Sequence, residues 1–334
     1  MTTIKLRKTF NNLHKKRPIM PEQPLIEFSK ICKHFGKHLI LNNLDMTIGY
    51  KEIFGIVGLS GSGKTTLLNI LIGFVEPSKG KISFQGKDII KNYKDSVKKL
   101  FGFVTQSGSF YTNLTVEENL SYFGRLYDIP KRTIYPWVGE LLALVELEDA
   151  RHILAEHLST GMQRRLDIAC ALIHKPTVLV LDEPTADLDP VLRKEVLSLI
   201  QRIRDNGTTV VITSHLLSEL EGICNKIAIL HEKQIIRVGS PVALKEAYTK
   251  NEEITFSSTP GDYKKVIAEL PKSKINNTII ESNKAVIYTP APQEMLQCLT
   301  KALLKNDEHL LEVSVAKPSL EEVFESLTRR KGNA

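Results

Sequence analysis

The chain has 334 residues, 42% of them hydrophobic and 25% charged, with a formal net charge of +7. This is an ordinary globular composition with room for two or three domains. It contains no apolar run near the roughly 18 residues of a membrane-spanning helix and no apolar stretch of a secretory leader. The charge is concentrated at one end: residues 1–24 hold Lys5, Arg7, Lys8, Lys15, Lys16 and Arg17 against Glu22 alone, so the rest is close to neutral and carries no nucleic-acid-style basic surface.

That basic arm reads as a solvated, flexible tail. Ile4, Leu6, Phe10 and Leu13 make it faintly amphipathic, and the sharper reading is a weak attraction to anionic lipid headgroups. The four cysteines, Cys32, Cys170, Cys224 and Cys298, are far apart and form no C-x-x-C pair; they read as free thiols in a reducing compartment.

Three strand candidates open the body, "LIEFSKI", "LDMTI" and "EIFGIV". The third runs into "GLSGSGKTT", Gly58 to Thr66, and then into the helical "TLLNILIGF". The spacing G-x-x-x-x-G-K-[ST] between a strand and a helix is that of a phosphate-binding loop. Gly58, Ser60, Gly61, Ser62, Gly63 and Thr66 form a cradle whose backbone N–H groups converge on phosphate oxygens. Lys64 reaches the β- and γ-phosphates, and the Thr65 hydroxyl ligates Mg²⁺.

From about Gly108 to Ala155 the chain reads as helical, with Thr115 and Glu118 at capping-box spacing before the apolar period of "TVEENLSYFGRLYDI". "LSTGMQRRLDIA" follows, a helix begun by Ser159, Thr160 and Gly161; unpaired N–H groups at such a start suit an anion. "TVLVL", "TTVVIT" and "NKIAIL" are short β-branched runs suited to strands buried on both faces. The helix "VLRKEVLSLIQRIRDNG" lies between the first two and closes on Gly207. Strand and helix in alternation mean a largely parallel α/β sheet. At strand ends stand Asp182, suited to Mg²⁺; Glu183, placed to orient water or take its proton; and His215, placed for γ-phosphate contact.

After about Asn251 the order changes to β-α-β-β-α-β, the ferredoxin-like pattern: "EITFSS", "GDYKKVIAEL", "NTIIES", "AVIYTP" around "NK", "QEMLQCLTKALLKN" and "LLEVSV". A last helix, "PSLEEVFESLTRR", opens with Pro318 and Ser319.

These pieces in this order resemble the ATP-binding subunit of an ATP-binding-cassette (ABC) transporter, over about Leu25 to Ala247. The resemblance implies a P-loop NTPase cassette at residues 25–250: a mostly parallel core sheet, an antiparallel β subdomain and a helical subdomain near 107–175. A small α+β domain at 251–334 follows. It implies that Phe35 in "KHFG" stacks on adenine and that Gln106 in "FVTQS" links Mg²⁺ and attacking water to the helical segment. "ADLD", with Asp187, resembles the loop that communicates between paired subunits. "LSTGM" resembles the signature usually written Leu-Ser-Gly-Gly-Gln, which implies that Ser159, Gly161 and Met162 face ATP held by a second ABC subunit.

Two departures stand out. Met162 replaces glutamine, as in export-type members. Thr160 replaces glycine, bringing a β-branched side chain where backbone lies near phosphate. "VAKPSLEEVFESLTRR" resembles the ending of drug-, antibiotic- and glycan-exporting subunits. The expected function is thus ATP hydrolysis at the cytoplasmic face of the membrane, powering export through a separate permease. An importer, or a soluble ATPase acting on ribosomes or DNA, stands as the alternative. The "SGSFYTNLT" loop is the expected permease contact, with Phe110 and Tyr111 either in that interface or in the core.

Overall fold

The structure is a computed structural model that describes residues 23–89, 95–248 and 252–316. Its chain divides into two compact units between Val238 and Gly239.

The first unit is built on two sheets. One is antiparallel, in the order β2-β1-β4-β5. Its strands are β1 (Ile26–Phe35), β2 (His38–Ile48), β4 (Lys79–Phe84) and the short β5 (Lys87–Asp88). β1 and β2 form a hairpin from Ile26 opposite Ile48 to Phe35 opposite His38, turning at Gly36 with φ of +57°. "LDMTI" is the last part of β2; the expectation missed its beginning because Asn42 and Asn43 interrupt the apolar pattern.

The other sheet has the order β10-β9-β3-β8-β7-β6. β3 (Ile53–Val57), β6 (Phe101–Val104), β7 (Val178–Leu181), β8 (Thr209–Ser214) and β9 (Lys226–His231) run parallel, and β10 (Gln234–Gly239) follows β9 through a two-residue turn. Every residue of β3, β7 and β8 is buried, as expected for strands covered on both faces. β4, β6 and β10 were not expected. In β6 the reason is Gly102, a poor strand former. A Cβ there would stand 2.3 Å from the Ala171 carbonyl, so the glycine permits close approach of helix to sheet.

Seven helices among the described residues belong to this unit. They are α1 (Lys64–Leu71), α2 (Asp95–Lys98), α3 (Val116–Leu126), α4 (Lys131–Val145), α5 (Thr160–Leu172), α6 (Pro190–Asp205) and α7 (Leu217–Glu221). The expected capping box is formed: Glu118 donates its N–H to Thr115 Oγ1 at 3.2 Å, and Thr115 donates its N–H to Glu118 Oε2 at 2.8 Å. The α4 residue Trp137 donates to the Ile173 carbonyl at 2.9 Å, joining α4 to the end of α5. Among the described residues no helix is long and apolar enough to cross a membrane.

The second unit contains α8 (Pro241–Tyr248), β11 (Glu252–Thr259), α9 (Tyr263–Ala268), β12 (Asn277–Ile280), β13 (Ala285–Thr289), α10 (Pro292–Lys305) and β14 (His309–Ala316). Its antiparallel sheet has the order β12-β13-β11-β14, the arrangement of a βαββαβ ferredoxin-like fold. The β12–β13 turn takes in Glu281 to Lys284, two residues more than "NK". Ile254, Phe256 and Ile287 of the sheet pack on Val266, Met295 and Leu299 of the helices. The basic arm before residue 23 and the expected helix at 318–330 lie outside the described residues.

Candidate functional site

The phosphate loop joins β3 to α1. Gly63 is the N-cap of α1 with φ of +105° and no side chain to satisfy the first-turn N–H groups. A Cβ there would meet Leu41 Cδ2 at 2.7 Å, so this glycine lets β2 lie against the loop. Gly58 is equally confined, with the Leu230 carbonyl 2.5 Å from where a Cβ would be. Lys64 is buried, and its Nζ donates to the Gly58 carbonyl at 2.9 Å and lies 3.2 Å from Glu183 Oε1. A buried ammonium needs such partners.

Glu183 follows β7 with φ of +47°. Its second carboxylate oxygen is 3.2 Å from His215 Nδ1, at the end of β8. The neighbouring Asp182 is buried and accepts from Thr213 Oγ1 at 2.6 Å. The same hydroxyl accepts the Glu183 N–H at 2.9 Å. Thr213 on β8 therefore fixes both acids, holding Asp182 inward while Glu183 turns toward Lys64 and His215.

A second buried acid completes the frame. Glu219 accepts from Thr185 Oγ1 at 2.7 Å and Ser214 Oγ at 2.8 Å, and pairs with Arg193 Nε at 2.9 Å. It ties the segment after β7 and the end of β8 to α6. Gln106, Glu183, Asp187 and His215 line one cavity above this frame. Asp187 has φ of +62°, while Asp189 is spent as the N-cap of α6, accepting from Val191 and Leu192.

The remaining expected residues lie apart. Phe35 ends β1 with its ring half exposed and Lys33 Nζ 4.6 Å from its centre. None of Ser159 to Met162 lines the Glu183 cavity. Ser159 caps α5, accepting the Met162 N–H at 3.3 Å, while Thr160 is exposed beside it. Gly161 is buried, and a Cβ there would meet Leu192 Cδ2 at 2.8 Å.

Several contacts escaped the sequence reading. Asn119, fully buried, accepts the Tyr111 N–H at 2.8 Å and donates to the carbonyls of Tyr111, Leu114 and Thr115, shaping the "SGSFYTNLT" loop. Tyr111 is on the surface, edge-on to Tyr122 at 4.9 Å between centres, whereas Phe110 is partly buried. Arg165 joins α5 to Glu146 at 2.9 Å and to Glu195 of α6. Asp167, 2% exposed, accepts the Ser109 N–H at 2.9 Å. Burial pushes its carboxyl up to about 6, against the opposing pull of that N–H and of Arg164. The only local signal was an acid inside the apolar run "RRLDIACAL".

A sequence profile of the ABC transporter family matches residues 41–186. The chain is similar to Nod factor export ATP-binding protein I of Rhizobium sp. (strain N33), at 32% identity over 92% of this chain and 97% of that protein. The chain belongs to the ABC transporter ATP-binding proteins. This ABC protein is also similar to bacitracin transport ATP-binding protein BcrA of Bacillus licheniformis, at 30% identity over 91% of this chain and 97% of that one. Among solved structures, cbiO1 from Clostridium perfringens, part of the ABC transporter complex cbiONQ, has a TM-score of 0.63 at 27% identity, covering 69% of this chain and 94% of that chain.

As a member of this family the chain binds ATP and is an ATPase coupled to transport. Its loop fits a triphosphate. Ser62 Oγ is buried with no hydrogen-bond partner, the N–H groups of α1 have no capping side chain, and nothing stands within 4 Å of a Cβ placed on Gly61. The donor set also suits Mg²⁺ held largely by phosphate. Asp182 and the exposed Thr65 carry oxygen donors of the kind Mg²⁺ takes, and no three His, Cys, Asp or Glu side chains among the described residues gather as a metal cage.

Proposed function

We propose that this ABC protein uses Glu183 as the general base of ATP hydrolysis and spends the reaction on exporting a substrate through a partner membrane permease. The observation that carries the reading is the placement of Glu183 between Lys64, 3.2 Å away, and His215, 3.2 Å away. A carboxylate so held takes a proton from water as its oxygen attacks the γ-phosphorus; the bond to the β-phosphate oxygen breaks, leaving ADP and phosphate. ATP competes with Glu183 for Lys64, which frees the carboxylate for the water. His215 steadies the γ-phosphate, and Phe35 stacks on adenine. Asp182, Thr65 and Gln106 would hold Mg²⁺, which supplies charge neutralisation at the β- and γ-oxygens.

Two copies, or this chain and a related subunit, close around the nucleotide. Ser159 and Gly161 of one contribute the N-terminus of α5 to ATP on the other, with Met162 and Asp187 at the same seam. The exposure of Ser159 and Thr160 supports this reading, as does the suitability of a helix start for phosphate. Preference of ATP over ADP for the closed pair makes the cycle a switch. Export is supported by the near full-length likeness to proteins of Nod factor export and bacitracin transport. On this reading the chain attaches peripherally, at the cytoplasmic face, through the permease. Tyr111 and Tyr122 offer an exposed aromatic surface for that contact.

The test is co-purification from solubilised membranes followed by vesicle transport. A permease should accompany the wild-type chain, and ATP-driven efflux should stop with Glu183→Gln. Recovery with ribosomes alone would overturn the transport reading.

A further inference from the structure

Helix α5 presents Ser159 and Thr160 to solvent at its start and grips the loop after β6 about one turn later. Arg164 Nη1 donates to the Thr105 carbonyl at 3.1 Å, and Nη2 donates to the Gln106 carbonyl at 3.0 Å. Three residues on, Asp167 Oδ1 accepts the Ser109 N–H at 2.9 Å, and its other oxygen lies 3.7 Å from Arg164 Nη1. Residues spaced i, i+3 share a helix face. Both side chains are withdrawn from water, 12% and 2% exposed.

The loop is folded to be held in this way. Gly108 has φ of +78°, and its N–H turns back to the Thr105 carbonyl at 3.4 Å. Two carbonyls and one amide are thereby offered to α5. A planar guanidinium can serve two successive carbonyls at once, whereas an ammonium is a point charge. All three contacts are to main chain, so what they set is the path of the backbone that carries Gln106. An apolar residue at 167 would cost no desolvation; the acid there is matched to the Ser109 amide.

We infer that Arg164 and Asp167 are positioning residues that register Gln106 against the signature helix, so that displacement of α5 by a nucleotide reaches Gln106 through the main chain. This rests on the roles proposed above for Gln106 and for Ser159 to Gly161.

The test is a double-mutant cycle in the full-length chain, with Arg164→Met and Arg164→Lys made alone and with Gln106→Ala. ATP turnover, the ATP dissociation constant and the Mg²⁺ concentration for half-maximal turnover are measured, with amide exchange over residues 105–109. Each Arg164 variant should lower kcat by roughly tenfold, the scale of one lost charge-assisted hydrogen bond. ATP affinity should stay unchanged, half-saturation by Mg²⁺ should rise, and exchange at 105–109 should speed up. In the Gln106→Ala background the Arg164 changes should have no further effect.

Fully additive losses, or lost turnover with unchanged exchange at 105–109, would overturn the positioning role and leave that of Gln106 standing. Full turnover in Gln106→Ala would overturn the role of Gln106, and the inference with it. Should Arg164→Met lose the protection of α5 itself, Arg164→Lys, which keeps the charge and the aliphatic stem, decides.

Discussion

Thr213 Oγ1 stands 2.6 Å from Asp182 Oδ1 and donates to it, while accepting the Glu183 N–H at 2.9 Å. One fully buried hydroxyl on β8 thus sets two adjacent carboxylates at the end of β7 to different directions. Thr213→Val keeps the shape and removes both bonds, leaving buried polar groups unmatched at about 1–3 kcal/mol each. Turnover should fall with the denaturation midpoint, and Thr213→Ser should restore most of both. A Thr213→Val enzyme with wild-type turnover would show that the two acids orient without it.

Glu183→Gln keeps volume and removes basicity. Turnover should drop about 10²- to 10⁴-fold, the range for loss of a general base, with ATP binding intact. Nucleotide-bound dimers should accumulate, measured by size-exclusion chromatography with light scattering. Near-normal phosphate release in this variant would remove Glu183 from its role.

Thr160 is exposed at the first position of α5, next to Ser159, which caps that helix. Thr160→Gly should raise ATP turnover by about two- to fivefold, the equivalent of less than about 1 kcal/mol in the barrier, because in the closed pair proposed above the β-branched side chain would no longer stand beside the phosphate. Gly161→Ala should do the reverse, since its Cβ would press on Leu192 at 2.8 Å. Unchanged or lower activity in Thr160→Gly would show that threonine is no handicap.

Asp167 has a carboxyl raised to about 6 by burial. The unfolded chain holds that proton less tightly, so this residue's contribution to stability is full below about pH 4 and is lost as pH rises through about 6. The loss is of order 2–3 kcal/mol for a shift of this size. Asp167→Asn keeps an acceptor for the Ser109 N–H and does not titrate. Its stability relative to wild type should therefore improve steadily from pH 4 to pH 7 in urea denaturation. Parallel stability curves for the two proteins would refute the assignment.

Much of the cassette is legible because its signals are local. The glycine spacing before Lys64, the acids after "VLVL" and the Thr115–Glu118 capping box each lie within a few residues, where backbone geometry alone relates them. The ferredoxin-like order of the second unit is likewise carried by alternating periodicities. β4, β6 and β10 escaped because lysines, glycine or an arginine break their apolar pattern, and pairing with neighbouring strands supplies what propensity lacks.

The chain alone determined the nucleotide chemistry, since a phosphate cradle is made of backbone and needs only glycines and a lysine in order. The tertiary structure decided which partner holds each residue of the site and of the loop beside it: Thr213 for Asp182, Glu219 for Ser214, Asn119 for Tyr111, Arg164 for Gln106. Two of these partners, Thr213 and Arg164, are 31 and 58 residues from the groups they hold, and even the nearer two, Glu219 and Asn119, meet theirs only once the chain has folded back on itself. A linear pattern records neighbours along the backbone; it has no term for neighbours across a core.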